Sequence, residues 1–366
     1  MCLAGLVCLA LCPLGVPAAD LAWDNGPGHR SVALGVSGSR PAGFDLLPPA
    51  LTGLSFTNRL FGEMFLTNAV AHNGAGVAAS DVDGDGLCDL YFANLQGANR
   101  LYRNLGGWKF ADITDASGVG CAGQLSTGAV FADVNGDGYT DLLVNGITAG
   151  TRLFLNDGRG RFAEPADNGL ARENTAMSLA LGDVDGDGDL DLYVANGYTS
   201  PDYESTGICV GQTDQLFVGD GTGKLREACT LGRRAFSLSR ASRGAVGADH
   251  DRDGDVDLLV TANNGGVTLL RNDAERAGRW LGVRLRQPGL NQRGIGAKVV
   301  VATSDGFRRE QALRAGSGYL TGSAPELHFG LGRVDEFVEI QVTWPDGEVT
   351  RHQEQADAWV VIQREG

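Results

Sequence analysis

One acidic nonapeptide occurs four times in this chain, and no other feature constrains the fold as much. DVDGDGLCD begins at Asp81, DVNGDGYTD at Asp133, DVDGDGDLD at Asp183 and DHDRDGDVD at Asp249, at intervals of 52, 50 and 66 residues. The flanks recur with it. Small-residue runs precede each copy (GAGVAAS, STGAVFA, AMSLALG, SRGAVGA), and apolar runs follow (DLYFAN, DLLVNG, DLYVAN, DLLVTA). Next come NRLYRNLGGWKF, TRLFLNDGRGRF, DQLFVGDGTGKL and the weaker VTLLRNDAERAGRW. Self-similarity at such a period marks units that bury a core by stacking on their neighbours.

Each unit reads as a small-residue strand, an acidic loop, an apolar strand, a further strand, a glycine turn and a last strand. Four short strands per roughly 50 residues is the grammar of a propeller blade. Ala78, Ala79, Gly128 and Ala129 suit crowded inner strands. Turns such as Asn104-Leu-Gly-Gly and Asn156-Asp-Gly-Arg-Gly have hairpin chemistry. The fold class expected is all-β: a β-propeller with four clear blades, open to completion by flanking strands, and a small C-terminal β domain. The stretch 198–214 fills the longer third interval as an inserted loop.

The repeated loop has the chemistry of a hard-cation site. Oxygens at its first, third and fifth positions come from Asp81, Asp83 and Asp85; Asp133, Asn135 and Asp137; Asp183, Asp185 and Asp187; and Asp249, Asp251 and Asp253. A glycine at the sixth position permits a sharp turn. The main-chain carbonyl of Leu87, Tyr139, Asp189 or Asp255 stands seventh, and Asp89, Asp141, Asp191 or Asp257 stands ninth. Calcium accepts six to eight oxygens in irregular geometry, which favours it over magnesium. No His or Cys falls on a ligand position, which disfavours softer metals. Fifteen of the sixteen side-chain ligand positions are carboxylates, so about four calcium ions would also relieve the charge crowding. An EF-hand would need Glu at position twelve and flanking helices. Phe92, Val144, Val194 and Val260 stand there instead, all suited to strands.

These motifs resemble the FG-GAP/VCBS repeats of integrin-α-like propellers, over residues 54–273. The resemblance implies one calcium per loop. From Trp280 the pattern changes to alternating strands without acidic loops. Gly294-x-Gly296-Ala297, Gly316-Ser-Gly318-Tyr319, His328-Phe-Gly-Leu-Gly332 and Trp344-Pro-Asp-Gly347 resemble the ASPIC/UnbV domain of the cartilage-acidic-protein-like family. The organisation expected is a signal peptide over 1–19, an N-terminal segment over 20–53, repeats over 54–273 and the β domain over 278–363. GLSFTN at 53–58 reads as the last strand of a preceding unit.

The formal charge of −15 argues against nucleic acid or an anionic membrane as partner. The apolar run to Val16, followed by Ala18 and Ala19, reads as an export signal, and no other segment is long enough to span a membrane. Cys88, Cys121, Cys209 and Cys229 lie beyond that signal, and disulfides or free thiols are both open. The function expected is a secreted, periplasmic or cell-surface calcium-binding scaffold for an extracellular protein or glycan. The alternative is a calcium-dependent lyase or hydrolase acting on extracellular polysaccharide. No catalytic constellation is visible: His328, near Tyr319, reads as a structural histidine, and Ser317 lacks a nucleophile elbow. Arg233, Arg234, Arg240 and Arg243 read as a solvated strand face, and His72-Asn73 as strand and turn.

Overall fold

The computed structural model describes residues 24–26, 29–31, 46–60, 74–147, 149–170, 174–197, 211–228, 239–262, 266–273, 278–304, 306–314, 316, 321–333 and 337–364. The architecture is nearly all β. The first blade is a four-stranded antiparallel sheet of Val77–Ser80, Asp89–Phe92, Arg100–Asn104 and Phe110–Asp112. The second repeats it with Leu125–Ala132, Asp141–Ile147, Gly150–Asn156 and Phe162–Ala163. The third uses Ala176–Gly182, Asp191–Asn196, Gln215–Gly219 and Leu225–Glu227. In the fourth, Ser242–Ala248, Asp257–Ala262 and Thr268–Leu270 form three strands among the described residues.

Sheet order follows sequence order in every blade, through tight glycine hairpins where the turns are short and across the inserted stretch 197–214 in the third. Gly106 and Gly107 close the outer hairpin of the first blade at φ 75° and 59°, where a Cβ would strain the chain. The blades stack face to face. Tyr91 and Leu101 of the first pack with Leu142, Val144 and Phe154 of the second. Leu143 and Leu153 pack with Leu192, Val194 and Phe217, and Tyr193 and Leu216 with Leu258 and Val260. Inner strands meet edge to edge: Gly76 N–H donates to Thr127 O at 2.9 Å, and Thr127 Oγ1 to Ala176 O at 3.1 Å. The small residues of these strands permit that approach.

The C-terminal domain has its own sheets. Arg279–Arg286 pairs antiparallel with Leu327–Gly332 and parallel with Ala358–Gln363. A second sheet orders Arg308–Ala312, Lys298–Ala302, Phe337–Thr343 and Val349–Gln355. Leu281, Val283, Phe329, Ile340, Val342 and Trp344 form the core between the two. No strand of this domain, nor of the N-terminal segment, joins a blade among the described residues.

Two local expectations change. Residues 53–60 form no strand but run along the first blade, where Phe56 stacks on Phe92 at 5.0 Å and Asn58 Oδ1 accepts Leu95 N–H at 3.1 Å. Arg243 is not on a solvated face. It is 7% exposed and donates to the carbonyls of Gly197 and Ser242, which compensate its buried charge. The proposed signal, His72-Asn73, Arg233, Arg234, Ser317, Tyr319, Cys209 and Cys229 lie outside the described residues. Among the described residues no helix is long and apolar enough to cross a membrane.

Candidate metal centres

Each acidic loop joins the first two strands of its blade, and one carboxylate holds that joint together. The ninth-position Asp89, Asp141, Asp191 and Asp257 are all buried, at most 2% exposed. One oxygen of each accepts the second-position N–H: Val82 at 3.0 Å, Val134 at 3.0 Å, Val184 at 2.6 Å and His250 at 2.9 Å. The other accepts an N–H at the end of the third strand: Asn104 at 2.7 Å, Asn156 at 2.8 Å, Gly219 at 2.9 Å and Asn272 at 2.8 Å. The ninth Asp is therefore a backbone staple as well as an oxygen donor.

The first-position carboxylate organises the turn. Asp81 accepts Gly84 and Gly86 N–H at 2.8 Å each, and Asp183 accepts Gly186 at 2.7 Å and Gly188 at 2.8 Å. Asp133 accepts Gly138 N–H at 3.0 Å, and Asp249 accepts Gly254 at 3.0 Å. The fifth-position carboxylate accepts the seventh N–H in every loop, for Leu87, Tyr139, Asp189 and Asp255 at 2.8, 2.9, 2.9 and 3.0 Å. The sixth glycines sit at φ 88°, 89°, 99° and 99°, as the sharp turn requires. Strands flank every loop, and Phe92, Val144, Val194 and Val260 lie in them, which excludes an EF-hand.

Three loops gather carboxylates tightly enough to share one cation. Donor atoms of Asp81, Asp83 and Asp85 lie within 4.8 Å of one another, as do those of Asp183, Asp185 and Asp191, and of Asp249, Asp251 and Asp257. In the second loop Asn135 replaces a carboxylate, and its Nδ2 donates to Asp137 Oδ2 at 2.9 Å. An all-oxygen donor set of this kind fits calcium.

Electrostatics point the same way. Burial, partly opposed by the two backbone hydrogen bonds, pushes Asp89 up to about 6, Asp141 to about 7 and Asp191 to about 8. Burial also raises Asp183 to about 7, with Asp187 and Asp185 adding repulsion. Carboxylates this reluctant to ionise alone are those a bound cation stabilises most.

The loops differ in what surrounds them. In the first, Arg103 reaches in from the same blade, with Nε 2.6 Å from Asp83 Oδ2 and Nη2 3.3 Å from Asp85 Oδ2. The third and fourth loops are covered by the C-terminal domain through Arg309, Trp280, His328, Gly330 and Trp359. Asn156 Nδ2 donates to Val82 O at 2.9 Å and Asn272 Nδ2 to Val184 O at 2.6 Å, tying a loop to the next blade. Sequence reasoning passed over both groups. The asparagines were visible as a recurrent Asn closing LYRN, LFLN and LLRN. Of the covering residues, Trp280, His328 and Gly330 stand in the sequence as parts of the C-terminal module, but nothing in a module without a repeat signals that they, with Arg309 and Trp359, meet the loops. His328 takes part in this cover: its ring stacks on Trp280 at 5.7 Å, and Nε2 donates to Gly254 O at 3.0 Å. Cys88 is free and exposed, and Cys121 is free and buried.

A stack of antiparallel blades, three of them four-stranded and the fourth with three strands among the described residues, each with this acidic loop between its first two strands, defines the class. Residues 81–144 and 133–194 match the FG-GAP-like repeat, and residues 287–364 match the ASPIC and UnbV domain. The chain therefore carries FG-GAP-like repeats followed by an ASPIC and UnbV domain. Its homologues are the cartilage acidic proteins. It is 29% identical to cartilage acidic protein 1 of Xenopus tropicalis over 318 residues, covering 82% of this chain and 48% of that protein. It is 29% identical to that of Mus musculus over 283 residues, covering 75% of this chain and 42% of that one. The chain thus spans about half the length of the curated relatives it matches. The crystal structure of the V. cholerae biofilm matrix protein Bap1 aligns over 76% of this chain and 60% of that one, at 14% identity. The TM-score is 0.29, too low to carry an argument.

Proposed function

We propose that the chain is an exported, calcium-binding β-propeller that serves as a non-catalytic scaffold for an extracellular protein or glycan. The observation that carries this reading is the same oxygen cage built at the same joint of successive blades, with three carboxylate groups gathered within 4.8 Å. The proposed ligands are the side chains at positions one, three, five and nine, from Asp81 to Asp257, and the carbonyls of Leu87, Tyr139, Asp189 and Asp255. About four ions would be held, one per loop. Their role is structural: each neutralises a loop and fixes the joint between two strands. Loops on the open face of the blades are then available for a ligand. The proposed division is repeats over 54–273 and a β domain over 278–363.

The similarity to cartilage acidic protein 1 supports an extracellular setting. No observation favours the polysaccharide-acting alternative, because His328, its best acid or base, is held in the cover over the fourth loop. Equilibrium dialysis of the full chain against calcium tests the reading, with close to four ions per chain expected. Capture on arrays of matrix proteins and acidic glycans should then require calcium. A chain that takes up no calcium, or that turns over a glycan when saturated with it, defeats the proposal.

A further inference from the structure

The third and fourth loops are covered by one face of the C-terminal domain, and the cover follows the same plan in both. In the third, Gly330 lies against the first-position Asp183 so closely that a methyl group there would coincide with the carboxylate. Arg309 Nη2 donates to the sixth-position carbonyl of Gly188 at 3.2 Å and to Asp189 Oδ1 at 3.0 Å. In the fourth, Trp359 Nε1 donates to the first-position Asp249 Oδ2 at 2.8 Å. His328 Nε2 donates to the sixth-position carbonyl of Gly254 at 3.0 Å. Each loop thus has its first carboxylate covered and its sixth carbonyl bonded by a side chain of the other domain. The first loop has neither, and its Gly86 is exposed while Gly188 and Gly254 are buried.

We infer that the C-terminal domain completes the third and fourth ion sites, so that calcium in these loops and docking of the domain reinforce each other. The inference rests on the calcium reading above. Asp183 is 7% exposed and Asp249 2%, and the domain accounts for part of that cover. Burying such carboxylates without a cation is costly, and a cation held between them offsets much of that cost. Ion binding therefore favours the docked arrangement. Reciprocity then requires docking to tighten the ions by the same factor. Trp359 and Arg309 act as positioning residues, since they hold ligand-bearing groups in place and do not themselves offer an oxygen. The outer cover is held by further contacts between the two domains. Arg252 stacks on Trp359 at 4.3 Å and pairs with Glu326 at 3.0 Å, which Arg284 Nε also meets at 2.9 Å.

The test uses the full chain with calcium and with terbium as a luminescent substitute. The indole of Trp359 touches a carboxylate of the fourth loop, so tryptophan-sensitised terbium emission reports that loop, while calorimetry reports all of them. Trp359→Phe keeps an aromatic ring but loses the N–H donor and the larger indole; because it also removes the sensitiser, its fourth-loop affinity is read by calorimetry. Gly330→Ala changes no ligand chemically, but its methyl would occupy the place of the Asp183 carboxylate, so the domain can seat on the third loop only by displacing that carboxylate or by backing away from it. In each, the affected site should weaken roughly ten- to hundredfold, while the first loop keeps its affinity. Small-angle scattering should show the native chain expanding on chelation and closing again with calcium. Should Trp359→Phe fail to fold, Arg309→Met tests the third loop without disturbing the aromatic cluster, the second loop also losing the guanidinium that lies against Gly136, and Arg309→Lys should recover part of the affinity. Native affinity in Gly330→Ala, or a chain that stays closed when chelated, overturns the coupling and leaves the calcium reading standing. If the native chain takes up no ion, both fall together.

Discussion

The first and third loops share seven of nine letters, DVDGDGLCD against DVDGDGDLD, and the fold places them in opposite surroundings. The first faces solvent. Its sixth glycine is exposed, and an arginine of its own blade occupies two of its carboxylates. The third lies beneath another domain, with Asp183 buried and pushed up to about 7. On the proposed reading, one donor pattern serves two ends. Where water reaches the loop, an ion would stabilise a single hairpin joint. Where a domain covers it, the ion would also offset the burial that docking imposes.

Chelation should produce the largest effect and the clearest split between the two. A site filled at a hundredfold excess over its Kd contributes about 2.7 kcal/mol, so four such sites contribute on the order of 10 kcal/mol. Calorimetry of the loaded chain should show one transition. With EDTA that transition should fall by more than ten degrees and separate into two, as the C-terminal domain melts apart from the blades. A single unshifted transition would remove calcium from the account.

Next in size is a matched pair of substitutions, Asp183→Ala and Asp81→Ala, compared by urea unfolding in calcium. Both forfeit one ion. Loss of Asp183 also leaves the buried N–H of Gly188 without its acceptor, and an orphaned buried donor costs about 1–3 kcal/mol. Water can replace the acceptor that the exposed Gly86 loses with Asp81. Asp183→Ala should therefore cost about 1–3 kcal/mol more than Asp81→Ala. Equal costs would mean that the cover over the third loop does not hold in solution.

Much of this is legible in the sequence. The nonapeptide, its flanks and the glycine turns specify the blades, because turn chemistry and two-residue alternation act locally. Phe92 and Val144 at the twelfth position were enough to exclude the EF-hand. What could not be read was long-range. Asp89 and its counterparts read as ligands; that both oxygens also bond backbone N–H groups depends on where the third strand ends, fifteen residues further on in three blades and 28 in the third. Arg243 reads as a surface cation in the sequence because its distant acceptor, Gly197 O, comes from the preceding blade. The cover of Arg309, Gly330 and Trp359 depends on the packing of two domains, which no periodicity encodes.

The pH dependence grades the comparison across blades. The ninth carboxylate rises from about 6 at Asp89 through about 7 at Asp141 to about 8 at Asp191. These values lie above an unfolded aspartate, near 4, so protons favour the ion-free fold. That contribution is complete below about pH 4 and is lost as pH climbs through about 6 to about 8. The Tm of the chelated chain should fall by a few degrees across that window, and Asp191→Asn should flatten the upper part of the fall. The calcium-induced rise in Tm should grow over the same window, because the ion competes with protons. A chelated chain that gains stability from pH 5 to 8 would contradict the assigned burial.

The smallest expected effect isolates the open loop. Arg103 sits between Asp83 and Asp85, where it partly stands in for a cation. The corresponding position of the third blade is Val218, which brings no charge to its loop. Arg103→Met should therefore tighten calcium at the first loop and leave the third unchanged. Exposed ion pairs are worth about 0.2–1 kcal/mol, so the gain should be roughly two- to fivefold, within reach of competition titration with a calcium-sensitive dye. A loss of affinity would reverse the assignment: the arginine would then be holding the two carboxylates in place for the ion, and the open loop would need an internal support much as the covered loops need an external one.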